Sequence, residues 1–389
     1  TQTLTFEGKT FTVRAYENII YVANPVDTVY QKMNIYIPEE YFSGKKINGY
    51  AAETAPIFFP NKVGGYMPAQ PATLKEMPMG MGGNRPPMNG MPPMGERRPD
   101  GAPAMPQAKP STVVAALAKG YVVASAGARG RTLKASNGEY TGKAPAGIVD
   151  LKAAVRYLKF NDKLMPGDAN KIISNGTSAG GAMSTLVGAT GNNPDYEPYL
   201  KAIGAANGTD DVFAVSAYCP ITNLDHADMA YEWQFNGYNT YKRGGPMQAK
   251  NSDAPSVLSE EQIKISGQLK TLFPTYINSL NLKDSKGKSL TLDADGNGSF
   301  KDLVINYVIA SAQKALDAGK DMSGYAFLKV SGNQVTGLDF GAYVSYMERM
   351  KTPPAFDALD LSTGENMLFG SATIDKQHFT EFGQKNAIG

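Results

Sequence analysis

The sequence has 389 residues, of which 42% are hydrophobic and 19% charged, a balance typical of a globular protein with one large domain or two ordinary ones. Its net charge of +2 argues against partners such as nucleic acid or an anionic membrane, and no apolar run is long enough to span a bilayer. The single cysteine, Cys219, excludes an intramolecular disulfide and a cysteine-based metal cluster, and we expect a buried thiol at a strand end.

The first 60 residues are predicted to be rich in β-structure. One face of an alternating run, typical of a strand, is formed by Val29, Met33, Ile35 and Ile37. The apolar run Ala55–Pro60 predicts a second, shorter strand, which is followed by a loop containing Gly64 and Gly65.

Residues 67–110 differ in composition from the rest of the chain. Seven methionines and eight prolines lie between Met77 and Pro106. Because prolines at this density prevent both a helix and a central strand, we expect a flexible and mostly extended insertion. It is either a surface loop without a role or a flap of adaptable methionine side chains beside a site.

Strands and helices alternate from Ser111 onward. A short helix at Val113–Leu117 is followed by a buried strand at Tyr121–Ala126, and then by the loop Gly127–Arg131. The arginines of this loop could meet a carboxylate, but we expect a solvated loop. A longer helix is indicated by the spacing of Ile148, Leu151, Val155 and Leu158. This alternation predicts an α/β fold with a mostly parallel sheet and helices on both faces.

The motif Gly-x-Ser-x-Gly at residues 176–180 follows an apolar strand and precedes a helix of small residues. This arrangement is typical of a nucleophile elbow, a tight turn that presents a serine hydroxyl at the edge of a sheet. We predict that Ser178 is a nucleophile and that the N–H of Ala179 stabilises an oxyanion, with the N–H of Gly65 as second donor. The alternatives are an idle serine in a glycine-rich turn and an ordinary loop glycine at position 65.

The alternation ends beyond residue 220. Helices are predicted at 256–282, 302–316 and 338–350, in a helical region that we expect to be inserted after a strand and to roof the serine. Asp293–Gly298 matches the first half of a calcium-binding loop, but Val304 stands where that loop needs a carboxylate. A hairpin turn explains these residues equally well, and we expect neither a metal nor a cofactor.

With these features, the sequence resembles bacterial tannase (tannin acyl hydrolase), a family related to feruloyl esterases. The resemblance covers nearly the whole chain outside the insertion. It is carried by residues 48–50, 55–56, 61–66, 120–131, 166–170, 175–181, 218–237, 350–351, 354–357, 365–370 and 378–380. It implies an α/β-hydrolase core at 1–220, interrupted by the insertion at 67–110. It also implies a mainly helical lid domain that binds substrate at 221–389.

The family hydrolyses galloyl esters through an acyl-enzyme, and the resemblance assigns roles to individual residues. Ser178 becomes the nucleophile, and Ala179 and Gly65 the oxyanion hole. Lys351 and Glu365 would bind the phenolic hydroxyls of the galloyl ring, and Ile221 would line its apolar wall. Without the resemblance, both charged residues are predicted to be solvated surface groups.

In the family the chain continues beyond the match at 378–380 and supplies the triad aspartate and histidine. We therefore expect a missing C-terminal segment, present as a separate chain or lost by cleavage. In a second account His378 is the base, oriented by Asp357, Asp360 or Asp375.

The expected partner is a small phenolic ester, with a feruloyl-type esterase as the alternative. A further alternative is a phenolic-ligand binding fragment without activity.

Overall fold

The computed structural model describes residues 1–74, 111–242 and 255–387. The chain forms two compact units, the first comprising residues 1–222 and 371–374 and the second residues 223–370 and 375–389. Most of the predicted insertion, at 75–110, lies outside the described residues.

A seven-stranded sheet is the centre of the first unit. Its strands are β1 (Gln2–Phe6), β2 (Lys9–Ile20), β3 (Lys32–Pro38), β4 (Pro56–Pro60), β5 (Val122–Ala126), β6 (Asp168–Thr177) and β7 (Ala214–Tyr218). They follow the order β1-β2-β3-β5-β4-β6-β7. The strands β5, β4, β6 and β7 are parallel, as the alternation predicted, and β1, β2 and β3 add an antiparallel edge. Val29 was predicted in β3, but it lies outside the strand and is exposed.

Four helices belong to the first unit as it is described: α1 (Thr112–Ala118), α2 (Ala146–Phe160), α3 (Ala179–Ala189) and α4 (Glu197–Ala202). Helix α2 carries the predicted apolar stripe, with Ile148, Leu151, Val155 and Leu158 all buried. Its Asp150 is also buried and forms an ion pair with Arg129 at 2.8 Å. The arginine therefore meets a carboxylate, and the prediction of a solvated loop is wrong at this residue.

The first residues of the predicted insertion are packed rather than flexible. Ala69 bridges to Ala128, next to the end of β5. Ala72 and Leu74 are buried in a core cluster with Val113 and Val123. Among residues 67–74, only Gln70 and Thr73 are polar, so this segment has apolar side chains to bury.

The second unit is mainly helical in the residues described. Its helices are α5 (Leu224–Phe235), α6 (Glu260–Ser279), α7 (Ser299–Asp317), α8 (Phe340–Met347), α9 (Gly364–Leu368) and α10 (Glu381–Lys385). Two short antiparallel pairs join β8 (Thr240–Tyr241) to β9 (Ser256–Val257) and β10 (Leu328–Ser331) to β11 (Gln334–Leu338). The three long predicted helices correspond to α6, α7 and α8. Within the described ranges, no helix has both the length and the apolar character needed to cross a membrane.

The core of the second unit is built around the single tryptophan. Trp233 packs with Phe273, Ile277 and Leu292, and its indole Nε1 donates to the carbonyl of Gly296 at 2.9 Å. That glycine belongs to the segment that resembles a calcium-binding loop. The carboxylate of Asp293 accepts backbone N–H groups within this segment, which therefore forms a turn. In the parts of the chain that are described, no cluster of three or more metal-ligating side chains is found.

Candidate active site

The turn between β6 and α3 has the geometry of a nucleophile elbow. Ser178 lies between the strand and the helix with φ 57° and ψ −123°, and it is exposed to solvent. A positive φ is strained for a residue with a side chain, so the surrounding contacts must hold the turn. The N–H of Ser178 donates to the carbonyl of Tyr218 at 3.0 Å, at the end of β7.

The glycines of the motif are required by close contacts. A Cβ at Gly176 would lie 2.2 Å from the carbonyl oxygen of Gly180. A Cβ at Gly180 would lie 2.7 Å from both Asn61 Oδ1 and the carbonyl of Val63. Both distances are far below van der Waals contact, so only glycine allows the strand, the turn and the following loop to approach this closely.

Ala179 is buried and is the first residue of the eleven-residue helix α3. The first N–H groups of a helix have no partner within the helix, and its dipole places partial positive charge there. The N–H of Ala179 is therefore suited to stabilise negative charge that develops beside Ser178.

Asn61 connects the elbow to the loop that contains Gly65, a role that the sequence alone did not indicate. Its Nδ2 donates to the carbonyl of Gly180 at 3.0 Å and to Ser184 Oγ at 2.9 Å. Its Oδ1 accepts the N–H of Val63 at 3.2 Å. One side chain thus holds the start of α3 and the start of the loop after β4. The available signals were its place directly after a predicted strand and its position in the segment 61–66 that carries the family resemblance.

Gly65 has φ +55°, and a Cβ built there would meet nothing within 4 Å. The residue is thus favoured for its backbone conformation rather than for lack of space. Its carbonyl accepts the Nε of Arg131 at 2.8 Å, and the N–H of Arg131 donates to Tyr66 at 2.9 Å. Arg131 therefore fixes the two peptide groups that flank Tyr66, Gly65–Tyr66 and Tyr66–Met67.

Cys219 and Ile221 both follow β7, and the structure tests only the prediction made for Cys219. Cys219 is exposed, so the prediction of a buried thiol is wrong. The reason is that β7 ends the sheet order and that Cys219 (φ +39°) has already left the strand. Ile221 is half-buried in the loop that follows, and its assignment to a ring-binding wall stays a prediction.

Lys351 belongs to the second unit and is held on several sides. Its Nζ donates to the carbonyl of Ala355 at 3.1 Å and lies 4.1 Å from the centre of the Phe356 ring. Its own N–H donates to Tyr231 Oη at 3.1 Å. The side chain is half-buried rather than a freely solvated charge. An ammonium has three hydrogens, so donors remain for a ligand.

A buried ion pair lies directly beside Lys351. Arg349 and Glu232 are both fully buried, and the guanidinium donates to the two carboxylate oxygens at 2.8 and 2.6 Å. Arg349 also donates to the carbonyl of Lys351 at 3.3 Å. Because such a pair tolerates little displacement, it fixes the backbone on which Lys351 stands.

Glu365 lies in the first turn of α9 and is half-buried. Within the described ranges, its carboxylate has no hydrogen-bonding partner and forms no ion pair with Lys351. Thr363 caps the start of this helix and forms a capping box with Asn366. Thr363 Oγ1 also donates to the carbonyl of Phe356 at 2.5 Å. Phe356 thus contacts Lys351 through its ring and the start of α9 through its carbonyl.

Of the two histidines in the sequence, neither belongs to the first unit. In the second unit His378 Nδ1 lies 2.7 Å from Asp357 Oδ1, the first of the three aspartates considered for it. Asp360 instead accepts the N–H of Ser362 in its own turn.

Comparison with known proteins identifies similar sequences and structures. The BD-FAE family model matches residues 101–279. The esterase LipC of Mycobacterium tuberculosis is 37% identical over 71 residues, which are 18% of this chain and 17% of that protein.

Solved structures match over the whole chain. The tannase of Fusobacterium nucleatum is 50% identical with a TM-score of 0.87, over 98% of this chain and 77% of that one. The native tannin acyl hydrolase of Lactobacillus plantarum is 45% identical with a TM-score of 0.87, over 100% and 78%. A tannin acyl hydrolase in complex with ethyl gallate is 45% identical with a TM-score of 0.88, over 100% and 78%. This similarity confirms the predicted α/β-hydrolase fold with a helical insert.

Proposed function

Because the chain belongs to the bacterial tannase (tannin acyl hydrolase) family of carboxylic ester hydrolases, we propose that it cleaves galloyl esters through an acyl-enzyme on Ser178. The observation that carries this proposal is the strained, exposed turn at Ser178, with φ 57° and ψ −123° at the start of α3. A tannin acyl hydrolase of similar structure was solved with ethyl gallate, an ester of the proposed class.

In the proposed reaction Ser178 Oγ attacks the ester carbonyl and its proton passes to a histidine. The N–H groups of Ala179 and Gly65 stabilise the oxyanion, and the alcohol leaves with the proton from the histidine. A water molecule then attacks the acyl-enzyme, so that gallic acid is released and the serine regains its proton. Each oxyanion donor of this kind typically accounts for about 10²–10³ in kcat.

The histidine of this reaction lies outside the first unit, since that unit has none. One source is the triad histidine that the family carries beyond the match at 378–380. The other is His378, which is paired with Asp357 in the manner of a triad. The two sources predict different effects of substitutions at His378.

Selectivity for the galloyl ring is assigned to Lys351 and Glu365. A half-buried ammonium with hydrogens to donate and a carboxylate without a partner in the described residues complement phenolic hydroxyl groups. A site built on such hydrogen bonds rejects rings without hydroxyls, because its own polar groups then lose their solvent without gaining partners. Ile221 would supply apolar contact to the ring.

The proposal is tested with Ser178→Ala and a fluorophosphonate probe. We expect the variant to lose at least about 10³-fold in methyl gallate hydrolysis and to remain unlabelled, whereas the wild-type protein is labelled at Ser178. Full hydrolysis by the variant would refute the assignment. A wild-type protein that is folded but never labelled would instead favour a non-catalytic binder of phenolic ligands.

A feruloyl-type esterase is the closest competing function. Rates on methyl gallate and methyl ferulate separate the two activities, because ferulate lacks two of the three free hydroxyl groups. Lys351→Ala should reduce the gallate rate and leave the ferulate rate nearly unchanged. Equal losses on both esters would contradict the role assigned to Lys351.

A further inference from the structure

We propose that His378 is a positioning residue, which acts through Asp357 and Asn366 to hold Glu365 for recognition of the substrate ring. The inference rests on the proposed function, because it takes Glu365 as a ligand of the ring hydroxyls. It assigns His378 a role other than that of the base. It also links His378, Asp357 and Asn366, which lie apart in the sequence, into one hydrogen-bonded group.

The centre of this arrangement is the carboxylate of Asp357, whose side chain is completely buried. Its Oδ1 accepts His378 Nδ1 at 2.7 Å and Asn366 Nδ2 at 2.6 Å. Its Oδ2 accepts the N–H of Phe379 at 3.1 Å and both the N–H and the hydroxyl of Thr380, at 2.8 and 2.7 Å. A buried carboxylate with five donors has one well-defined position, and loss of the His378 donor leaves Oδ1 with Asn366 Nδ2 as the single donor among these five.

Asn366 carries this order to Glu365, its neighbour in the chain. Helix α9 has only five residues, so it cannot hold its own orientation by helical hydrogen bonds alone. Asn366 closes the capping box with Thr363 and also receives the N–H of Gln377 on its carbonyl at 3.0 Å. The direction of the Glu365 side chain therefore depends on contacts that pass through Asn366 and Asp357.

The close packing around Asp357 supports a position that is held rather than incidental. A Cβ at Gly383 in α10 would lie 2.2 Å from Asp357 Oδ2 and 2.9 Å from His378 Nδ1. Thr380, which donates to Asp357, is also the residue that caps α10. A glycine is thus required where the helix contacts the carboxylate–histidine pair.

Substitution of His378 distinguishes a donor to Asp357 from a base. Asparagine can place an amide N–H near the position of Nδ1, but it cannot accept a proton from serine at neutral pH. A base requires histidine and acts on every ester, whereas a positioning residue requires only the donor and acts on esters whose ring contacts Glu365. His378→Asn and His378→Ala should therefore differ if the residue positions Glu365.

The experiment compares these two variants with Glu365→Gln and with His226→Gln as a histidine control. For His378→Ala we expect KM for methyl gallate to rise about tenfold with kcat reduced less than threefold and unchanged fluorophosphonate labelling. His378→Asn should restore most of the wild-type KM. His378→Ala combined with Glu365→Gln should be no worse than Glu365→Gln alone.

Three results would overturn the inference. Loss of about 10³-fold in kcat in both His378 variants, together with lost labelling, would make His378 the base. Additive effects with Glu365→Gln would show that the two residues are not coupled. A wild-type KM in Glu365→Gln would remove the ligand on which the inference rests, whereas activity of Ser178→Ala would refute the proposed function by itself.

Gly383→Ala provides a second variant, in which residue 378 is still a histidine. Its Cβ displaces the carboxylate–histidine pair, so the same rise in KM is expected with labelling unchanged. Thermal unfolding of each variant shows whether the protein is folded under the assay conditions. A folded Gly383→Ala protein with wild-type KM would contradict the inference.

Discussion

In the first unit the elbow at Ser178 is held mainly by backbone groups, whereas in the second unit Lys351 and Glu365 are held by buried side chains. The elbow depends on glycines at which an added Cβ atom would lie only 2.2 to 2.7 Å from neighbouring oxygen atoms. In the second unit, buried carboxylates hold the neighbouring chain in place: Glu232 pairs with Arg349, and Asp357 pairs with His378. The reactive geometry thus depends on close backbone packing around Ser178, and the proposed recognition depends on hydrogen bonds among buried side chains.

This difference predicts how variants in the two units will behave. Changes beside the elbow should mainly affect kcat, because they displace groups that act on the reacting atoms. Changes to the residues that hold Lys351 and Glu365 in place should mainly affect KM and the preference among phenolic esters.

Among the variants that test this difference between the units, Gly176→Ala in the elbow should have the largest effect. Its Cβ would lie 2.2 Å from the carbonyl of Gly180, so the turn must open and displace Ser178. We expect methyl gallate hydrolysis to fall more than about 100-fold, with a corresponding loss of fluorophosphonate labelling. Gly267→Ala in α6, where a Cβ meets nothing within 4 Å, is the matched control. Equal activity of the two variants would contradict a backbone-held elbow.

The next effect is a pH dependence of opposite sign in the two units. Burial raises the pKa of Asp228 from 3.8 to about 6, although the carboxylate accepts the N–H groups of Phe356 and Asp357. Because the folded protein holds this proton more tightly than the unfolded one, the contribution to stability is full below about pH 4. About 3 kcal/mol of it is lost as the pH rises to about 6.

Asp210 of the first unit behaves in the opposite way. Burial acts to raise its pKa, but hydrogen bonds from Lys152, the N–H of Asn192 and Arg156 outweigh burial and lower it. Its contribution is present at neutral pH and is lost as the pH falls below the ordinary carboxyl range. Denaturant unfolding from pH 3 to 7 should show that Asp228→Asn removes the decline between pH 4 and 6. An unchanged decline in that variant would contradict the assignment.

The smallest expected effect is that of Arg131→Gln in the first unit. Loss of the Nε donor releases the carbonyl of Gly65, so the proposed oxyanion donor is less well placed. We expect about a tenfold lower kcat, with KM for methyl gallate unchanged. Arg14→Gln, which breaks the ion pair between Arg14 of β2 and Glu39, is the control and should retain wild-type kcat. A change in KM rather than kcat would contradict the expectation that changes beside the elbow mainly affect kcat.

Prediction from sequence was most successful where a property depends on neighbouring residues. The elbow could be predicted because the glycines at 176 and 180 stand two residues from Ser178. The long helices could be predicted because their apolar residues repeat with the period of the helix. Even Gly65 could be located from the sequence, because it lies in the loop directly after a predicted strand.

The sequence by itself therefore determined the fold class, the elbow and most helices, because their signals lie within a few residues of one another. Only the tertiary structure decided which groups meet over long separations, such as Asp228 with the N–H of Phe356, 128 residues away. It also decided that Lys351 is held in place and that Cys219 is exposed at the end of the sheet. Periodicity records which face of an element is buried, but it does not record which other element covers that face.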